Sequence, residues 1–199
     1  PGSTFKILTV AAALRDGKAN ADTEMDAPDT LTLPGTNHAL SNYAGESCGN
    51  GKVKLSYAFA ESCNTPFAQL AMDVGYKDLS SEAEAWGFDD SQSIPLTVTP
   101  SRFPETNSDA ETAMAGIGQA SVRATPLMMA QVAETIANNG KQMKPYLVSR
   151  TLDSDLKVVS KTSPKEARTP ISSETADTLS SLMQQAVSEG TGTSAQVAG

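Results

Sequence analysis

The chain opens Pro1-Gly2-Ser3-Thr4-Phe5-Lys6-Ile7-Leu8-Thr9-Val10-Ala11-Ala12-Ala13-Leu14-Arg15. Two apolar stripes run along this stretch. Phe5, Leu8 and Ala12 make one, and Ile7, Ala11 and Leu14 the other. Residues 4–15 are therefore expected to form a helix buried on most sides and stopped by Gly17. Ser3 and Lys6 are three apart, a spacing that stacks side chains on a helix. A serine hydroxyl is a weak nucleophile until a neighbouring base takes its proton. Lysine can be that base once burial or a nearby charge lowers its pKa. The positive end of the helix favours an anion developing near Ser3, and the Ser3 N–H can serve in an oxyanion hole. Read alone, Ser3 serves equally as a simple helix cap. Ser154-Asp155-Leu156-Lys157 repeats the spacing in a stretch expected to be a hairpin turn, where the two side chains need not meet.

Working outward, Ser62-Cys63-Asn64 falls in a break between two helical patterns, residues 53–60 and a helix restarting at Thr65-Pro66 and ending at Gly75. A hydroxyl there can pass a proton, and an amide offers both a donor and an acceptor. The same residues also read as a turn whose Asn caps the next helix. Residues 19–51 read as loops with short strands, one near 31–33. Ser80 or Ser81 is expected to cap a short helix ending at Gly87, and residues 94–99 to form a strand. Helices are expected over 109–116, from Thr125-Pro126 to Asn138, and from Ser172 or Ser173 through Val187, with Gly190 as a stop. Residues 146–152 and 156–160 flank Asp153-Ser154-Asp155 as a hairpin. Helix outweighs strand.

The 199 residues, 39% hydrophobic and 19% charged, suit one globular domain with an apolar core. The net charge of −8, with no stripe of Lys and Arg, argues against nucleic acid. Two cysteines, Cys48 and Cys63, allow one disulfide or two free thiols. With His38 as the single histidine, no zinc spacing arises and no metal is expected.

Ser3-x-x-Lys6 followed by Ser62-x-Asn64 resembles the penicillin-recognising serine acyltransferases, whose pattern ends in K-[ST]-G. Ala115-Gly116-Ile117-Gly118-Gln119 and Ala124-Thr125-Pro126-Leu127-Met128-Met129-Ala130 resemble the G-x-G-Q and T-P-L-Q-x-A region of penicillin-binding proteins. Ile136-Ala137-Asn138-Asn139-Gly140 with Lys144-Pro145 resembles their A-N-x-G…P segment, and Gly190-Thr191-Gly192-Thr193 with Val197-Ala198-Gly199 resembles the lead-in to the third motif. The resemblance spans the chain and is greatest to class B penicillin-binding proteins of the actinobacterial cell-division type. The third motif is absent. Lys161-Thr162-Ser163 has Ser where Gly lets a strand lie close to substrate, and Pro164 follows it.

The resemblance implies an α/β fold. The chain would be the α-rich part of the penicillin-binding transpeptidase and serine β-lactamase-like fold, with the helical subdomain largely present and the central antiparallel sheet mostly missing. Residues 1–199 would be one incomplete domain, truncated at both ends and inactive alone. The implied activity is peptidoglycan D,D-transpeptidation. Ser3 is the acylated nucleophile, Lys6 the base, Ser62 the proton relay, and Asn64 a ligand of substrate and Lys6. Implied partners are stem peptides ending in D-Ala-D-Ala, β-lactams and divisome proteins, with no cofactor. A Cys48–Cys63 bridge would pin the Ser62 loop in an extracytoplasmic enzyme anchored by an N-terminal membrane helix outside this sequence. Two alternatives stand beside this reading. One is a serine β-lactamase, for which no convincing E-x-x-x-N is found. The other is a non-enzymatic β-lactam sensor.

Overall fold

The computed structural model describes residues 1–197 except Ser93 and Pro95. Gly2–Phe5 form a single 3-10 turn that runs directly into helix α1, Lys6–Arg15. Helical structure therefore starts slightly before the expected residue 4, and it starts in a tighter form. Leu8, Thr9, Val10, Ala11, Ala12 and Ala13 are all buried, so α1 is enclosed on most sides as its two stripes require. Gly17, at φ +64°, provides the stop.

The segment after α1 forms two small antiparallel ribbons. Strand β1 (Glu24–Ala27) pairs with β4 (Gly51–Lys54), and β2 (Thr30–Thr32) pairs with β3 (Ala39–Ser41). Val53 and Lys54, expected to be helical, belong to β4 instead. Their partners are Met25 and Glu24, and Lys54 is extended at ψ 151°. The ladder to β1 thus overrides a helix-like local pattern, and α2 is only Leu55–Ala60.

Helix α3 (Thr65–Val74) begins with Pro66 in its first turn and meets α4 (Tyr76–Trp86) at Gly75. Gly75, at φ 85°, turns the chain unaided. Helix α4 therefore starts earlier than expected, with Ser80 and Ser81 inside it. The strand expected over 94–99 includes Pro95, which lies outside the described residues. Its described residues form no strand element, and only Thr97 sits in a bridge position.

Helices α5 (Asp109–Gly116), α6 (Pro126–Ala137) and α7 (Ser173–Ser188) lie where their sequence signals put them. The hydroxyls of Ser108, Thr125 and Ser172 accept from Glu111 N at 3.4 Å, Met128 N at 3.1 Å and Thr175 N at 3.1 Å. Between α6 and α7, β5 (Gln142–Met143) pairs with β8 (Glu166–Arg168), and β6 (Arg150–Leu152) with β7 (Val158–Lys161) as a hairpin. Among the described residues every sheet has two strands, so helices dominate this α/β chain.

The helices pack around α1, which contacts α3, α4, α5 and α7. Phe5 fixes its start. Its ring stacks on Phe103 at 5.5 Å between centroids and meets Phe88 edge-on at 5.6 Å. The Arg15 guanidinium holds the end by pairing with the buried Glu82, whose other oxygen accepts from Trp86 Nε1 at 2.8 Å. Burial pushes the Glu82 carboxyl up, against the opposing pull of Trp86 and Arg15.

Two glycines permit close backbone approaches next to the motif residues. A Cβ on Gly118 would lie 2.0 Å from the Gly2 carbonyl oxygen, and Gly2 N donates to Gly118 O at 3.0 Å. The turn carrying Ser3 is thereby clasped by the loop after α5. A Cβ on Gly190 would lie 2.2 Å from Ala60 O, which also accepts from Thr191 N at 3.0 Å. The segment following α7 is thus docked two residues before Ser62.

Candidate active site

The four motif residues come from two places more than fifty residues apart. Lys6 is in the first turn of α1, and its side chain is 2% exposed. Its Nζ reaches the loop between α2 and α3. It lies 2.6 Å from Ser62 O, 3.0 Å from Asn64 Oδ1 and 3.3 Å from Ser62 Oγ, with the Phe67 ring centroid 5.4 Å away. All three polar neighbours are uncharged, and no carboxylate bonds to the amine among the described residues. Burial therefore has no opposing ion pair, and it lowers the Lys6 pKa from 10.5 to about 7. The amine donates in all three contacts, to Ser62 O, Asn64 Oδ1 and Ser62 Oγ.

Ser3 lies one 3-10 turn before Lys6, whose backbone N–H donates to Ser3 O. In a 3-10 turn, side chains three apart eclipse, so Ser3 and Lys6 share one edge of the chain. Ser3 is exposed, and its hydroxyl neither caps the turn nor finds another hydrogen-bond partner among the described residues. The cap reading of this serine has no bond to support it.

Ser62 has φ +55°, a left-handed conformation that a Cβ disfavours. Its cause is visible in the end of α2. Cys63 N donates to Ala58 O at 2.9 Å and Ser62 N to Phe59 O at 3.1 Å. These are the two bonds of a Schellman motif, with Ser62 at the position where Gly is favoured. The strain brings the Ser62 carbonyl and hydroxyl to the same amine. Cys63 is bonded to Cys48, with Cα atoms 5.9 Å apart, so the strained loop is also tied covalently to the segment after β3.

Asn64 precedes α3 but does not cap it with its side chain, which is turned toward Lys6. Asn42 does that work from a distance. Its Oδ1 accepts from Asn64 N at 2.8 Å and Thr65 N at 3.2 Å, and its Nδ2 donates to Glu46 O at 3.2 Å. Asn64 Nδ2 in turn donates to Ser41 O at 3.1 Å, which fixes the amide with its oxygen on Lys6. Sequence reading missed Asn42. It lies 22 residues upstream in a stretch read as loop, and nothing local marks it. The near-miss Lys161-Thr162-Ser163 lies at the end of β7 and makes no bond to these residues. No group of His, Cys, Asp and Glu able to hold a metal occurs among the described residues.

Lys6 at the start of α1 and the strained Ser62–Asn64 loop thus meet, with Ser3 one 3-10 turn before the buried amine. A family model, the penicillin binding protein transpeptidase domain, matches residues 1–199, and the chain belongs to that family. In particular it is similar to the peptidoglycan D,D-transpeptidase PbpA of Mycolicibacterium smegmatis, 43% identical over 92% of this chain and 38% of that protein. It is also similar to penicillin-binding protein A from M. tuberculosis in its penicillin G acyl-enzyme complex. That match has TM-score 0.89 and 41% identity, covering 94% of this chain and 43% of that one. The D,D-transpeptidase domain of a peptidoglycan glycosyltransferase from Eggerthella lenta matches with TM-score 0.91 and 33% identity, over 100% of this chain and 51% of that one. The chain thus spans about two fifths of the PbpA relatives it matches.

Two outcomes follow from this geometry. The left-handed strain resides in the Ser62 Cβ, so Ser62→Gly should be more stable than Ser62→Ala by about 1 kcal/mol in urea unfolding. Equal stability would remove the strain. For Lys6, the folded state releases its proton near pH 7 and the unfolded state near 10.5. Between these values the unfolded chain binds more protons, so rising pH favours folding, by up to about 1.4 kcal/mol per pH unit. Below pH 7 both states are charged and this contribution is lowest. In Lys6→Met, stability measured across that window should lack the rise.

Proposed function

We propose that the intact protein is a peptidoglycan D,D-transpeptidase that works through an acyl-enzyme on Ser3. The observation that carries this reading is the Lys6 amine. It is buried without a counter-charge, bonded to Ser62 and Asn64, and one 3-10 turn from a free serine hydroxyl.

In this reading neutral Lys6 takes the Ser3 proton, and Ser3 Oγ attacks the penultimate D-Ala carbonyl of a donor stem peptide. The Ser3 N–H, at the head of the turn, lacks an intrahelical partner and is free to stabilise the tetrahedral oxyanion. The proton returns through Ser62 to the departing D-Ala amine, which leaves Ser3 as an ester. An amine from a second stem peptide attacks the ester and frees Ser3, completing the cross-link. Asn64 holds both Lys6 and the substrate amide. β-Lactams enter as mimics of the donor, in keeping with the acyl-enzyme complexes of the M. tuberculosis neighbour.

A role in cell division, divisome partners and an extracytoplasmic, membrane-anchored location belong to the same proposal, on similarity to PbpA. No helix among the described residues is long and apolar enough to cross a membrane. Residues 1–199 contain no Lys-[Ser/Thr]-Gly sequence, and on their own they are proposed to be inactive. The docking of Gly190-Thr191 on Ala60 supports a further strand being delivered beside Ser62.

The test is covalent labelling of the intact protein with a fluorescent penicillin. Ser3→Ala should abolish labelling, and Lys6→Ala should slow it by about 10²–10⁴, the usual contribution of a general base. Labelling of Ser3→Ala at the wild-type rate would place the nucleophile elsewhere.

A further inference from the structure

Glu61 separates the end of α2 from Ser62, and its charge has the wrong sign for that place. The carbonyl end of a helix is negative and favours Lys, Arg or His. The last turn of α2 holds no basic residue, and Glu61 itself is the C-cap. Its side chain is exposed, and its carboxylate makes no ion pair or hydrogen bond among the described residues. The lysines of the neighbouring β4 are engaged elsewhere, Lys52 with Glu24 and Asp26, and Lys54 with Asp22.

The backbone around Glu61 is held from both sides. Glu61 N donates to Tyr57 O at 2.9 Å. The preceding carbonyl, Ala60 O, accepts from Thr191 N at 3.0 Å and from Thr191 Oγ1 at 3.2 Å. The residue after it, Ser62, accepts from Lys6 Nζ with both O and Oγ. Glu61 therefore stands at the seam between the segment after α7 and the loop that faces Lys6. Burial alone lowers the Lys6 pKa, so the Glu61 carboxylate acts toward solvent rather than on that amine. Glu61, Ser62 and Asn64 all depart from ordinary helix-end chemistry. Such departures collect at functional sites.

We infer that Glu61 is a positioning residue for the acceptor, its carboxylate drawing the ammonium of the second stem peptide to the acyl-enzyme beside Ser62. The inference rests on the transpeptidase reading and deepens it, by naming what the site offers its second substrate. A primary amine reaches the protein as an ammonium at neutral pH. Water, its competitor for the Ser3 ester, carries no charge and gains nothing from Glu61. The carboxylate therefore biases the acyl-enzyme toward cross-linking and away from hydrolysis. The ammonium releases one proton to solvent. The neutral nitrogen then attacks the ester carbonyl, its second proton passes to Ser3 Oγ, and the C–O bond to Ser3 breaks.

The test uses the intact protein, acylated by a thioester analogue of the donor. Glycinamide, largely cationic at pH 7, or hydroxylamine, uncharged at that pH, is then added. The readout is the ratio of aminolysis to hydrolysis product, to which only folded and acylated protein contributes. In Glu61→Gln the ratio should fall by about threefold with glycinamide at low salt, and not with hydroxylamine. Glu61→Asp should recover most of the loss. In about 1 M salt, where the Debye length is about 3 Å, wild type and Glu61→Gln should converge. An unchanged glycinamide ratio in Glu61→Gln would overturn the inference alone. So would an equal fall with both nucleophiles, which would make Glu61 a packing residue. Wild-type protein that forms the acyl-enzyme and only hydrolyses it would overturn the transpeptidase reading, and the inference with it.

Discussion

The Lys6 amine occupies a site where burial disfavours the ammonium and three uncharged acceptors surround the nitrogen. Burial removes water, and the Ser62 and Asn64 oxygens supply dipoles but no negative charge. Much of the surrounding structure serves to keep that arrangement. Phe5 locks the turn before Lys6 against Phe88 and Phe103, and Gly118 clasps the turn at Gly2. On the opposite wall, the Schellman end of α2, the Cys48–Cys63 bridge and the Asn42 amide hold Ser62 and Asn64 in place. A Lys6 exposed to water would lose the burial that lowers its pKa. Preorganisation and a lowered pKa are therefore one property of this fold.

Local strain and local satisfaction are balanced within the same loop. A serine in the left-handed region costs stability where glycine would not. An asparagine at the head of α3 gives up its capping role to face Lys6, and the orphaned N–H groups pass to Asn42. Both departures from ordinary helix-end chemistry aim a side chain at one amine. Rules of local structure are most often broken where a site requires it.

What was legible in the sequence follows the range of the interactions. The helix caps at Ser108, Thr125 and Ser172 act within three residues, and the corresponding helices lie close to where those signals put them. The pairing of Lys6 with the Ser62–Asn64 loop was readable only because two motifs occur in order. The spacing of Ser3 and Lys6 alone is shared with Ser154 and Lys157, which lie in the turn between β6 and β7. Val53 and Lys54 were misread because their ladder partners, Met25 and Glu24, lie 28 and 30 residues upstream. Asn42 was invisible for the same reason, since its role exists only once β3 and the start of α3 are brought together. The strained φ of Ser62 was hidden as well, because Ser is an unusual choice at that helix end.

The account turns on the charge of one lysine at neutral pH. Its most direct measurement is a titration of the Lys6 ζ-nitrogen by NMR in the intact protein, with lysine labelled with ¹⁵N and the resonance assigned through Lys6→Arg. A midpoint near 7, as burial without a counter-charge dictates, would support the amine as a base. A Lys6 that stayed protonated up to the ordinary lysine range would contradict it.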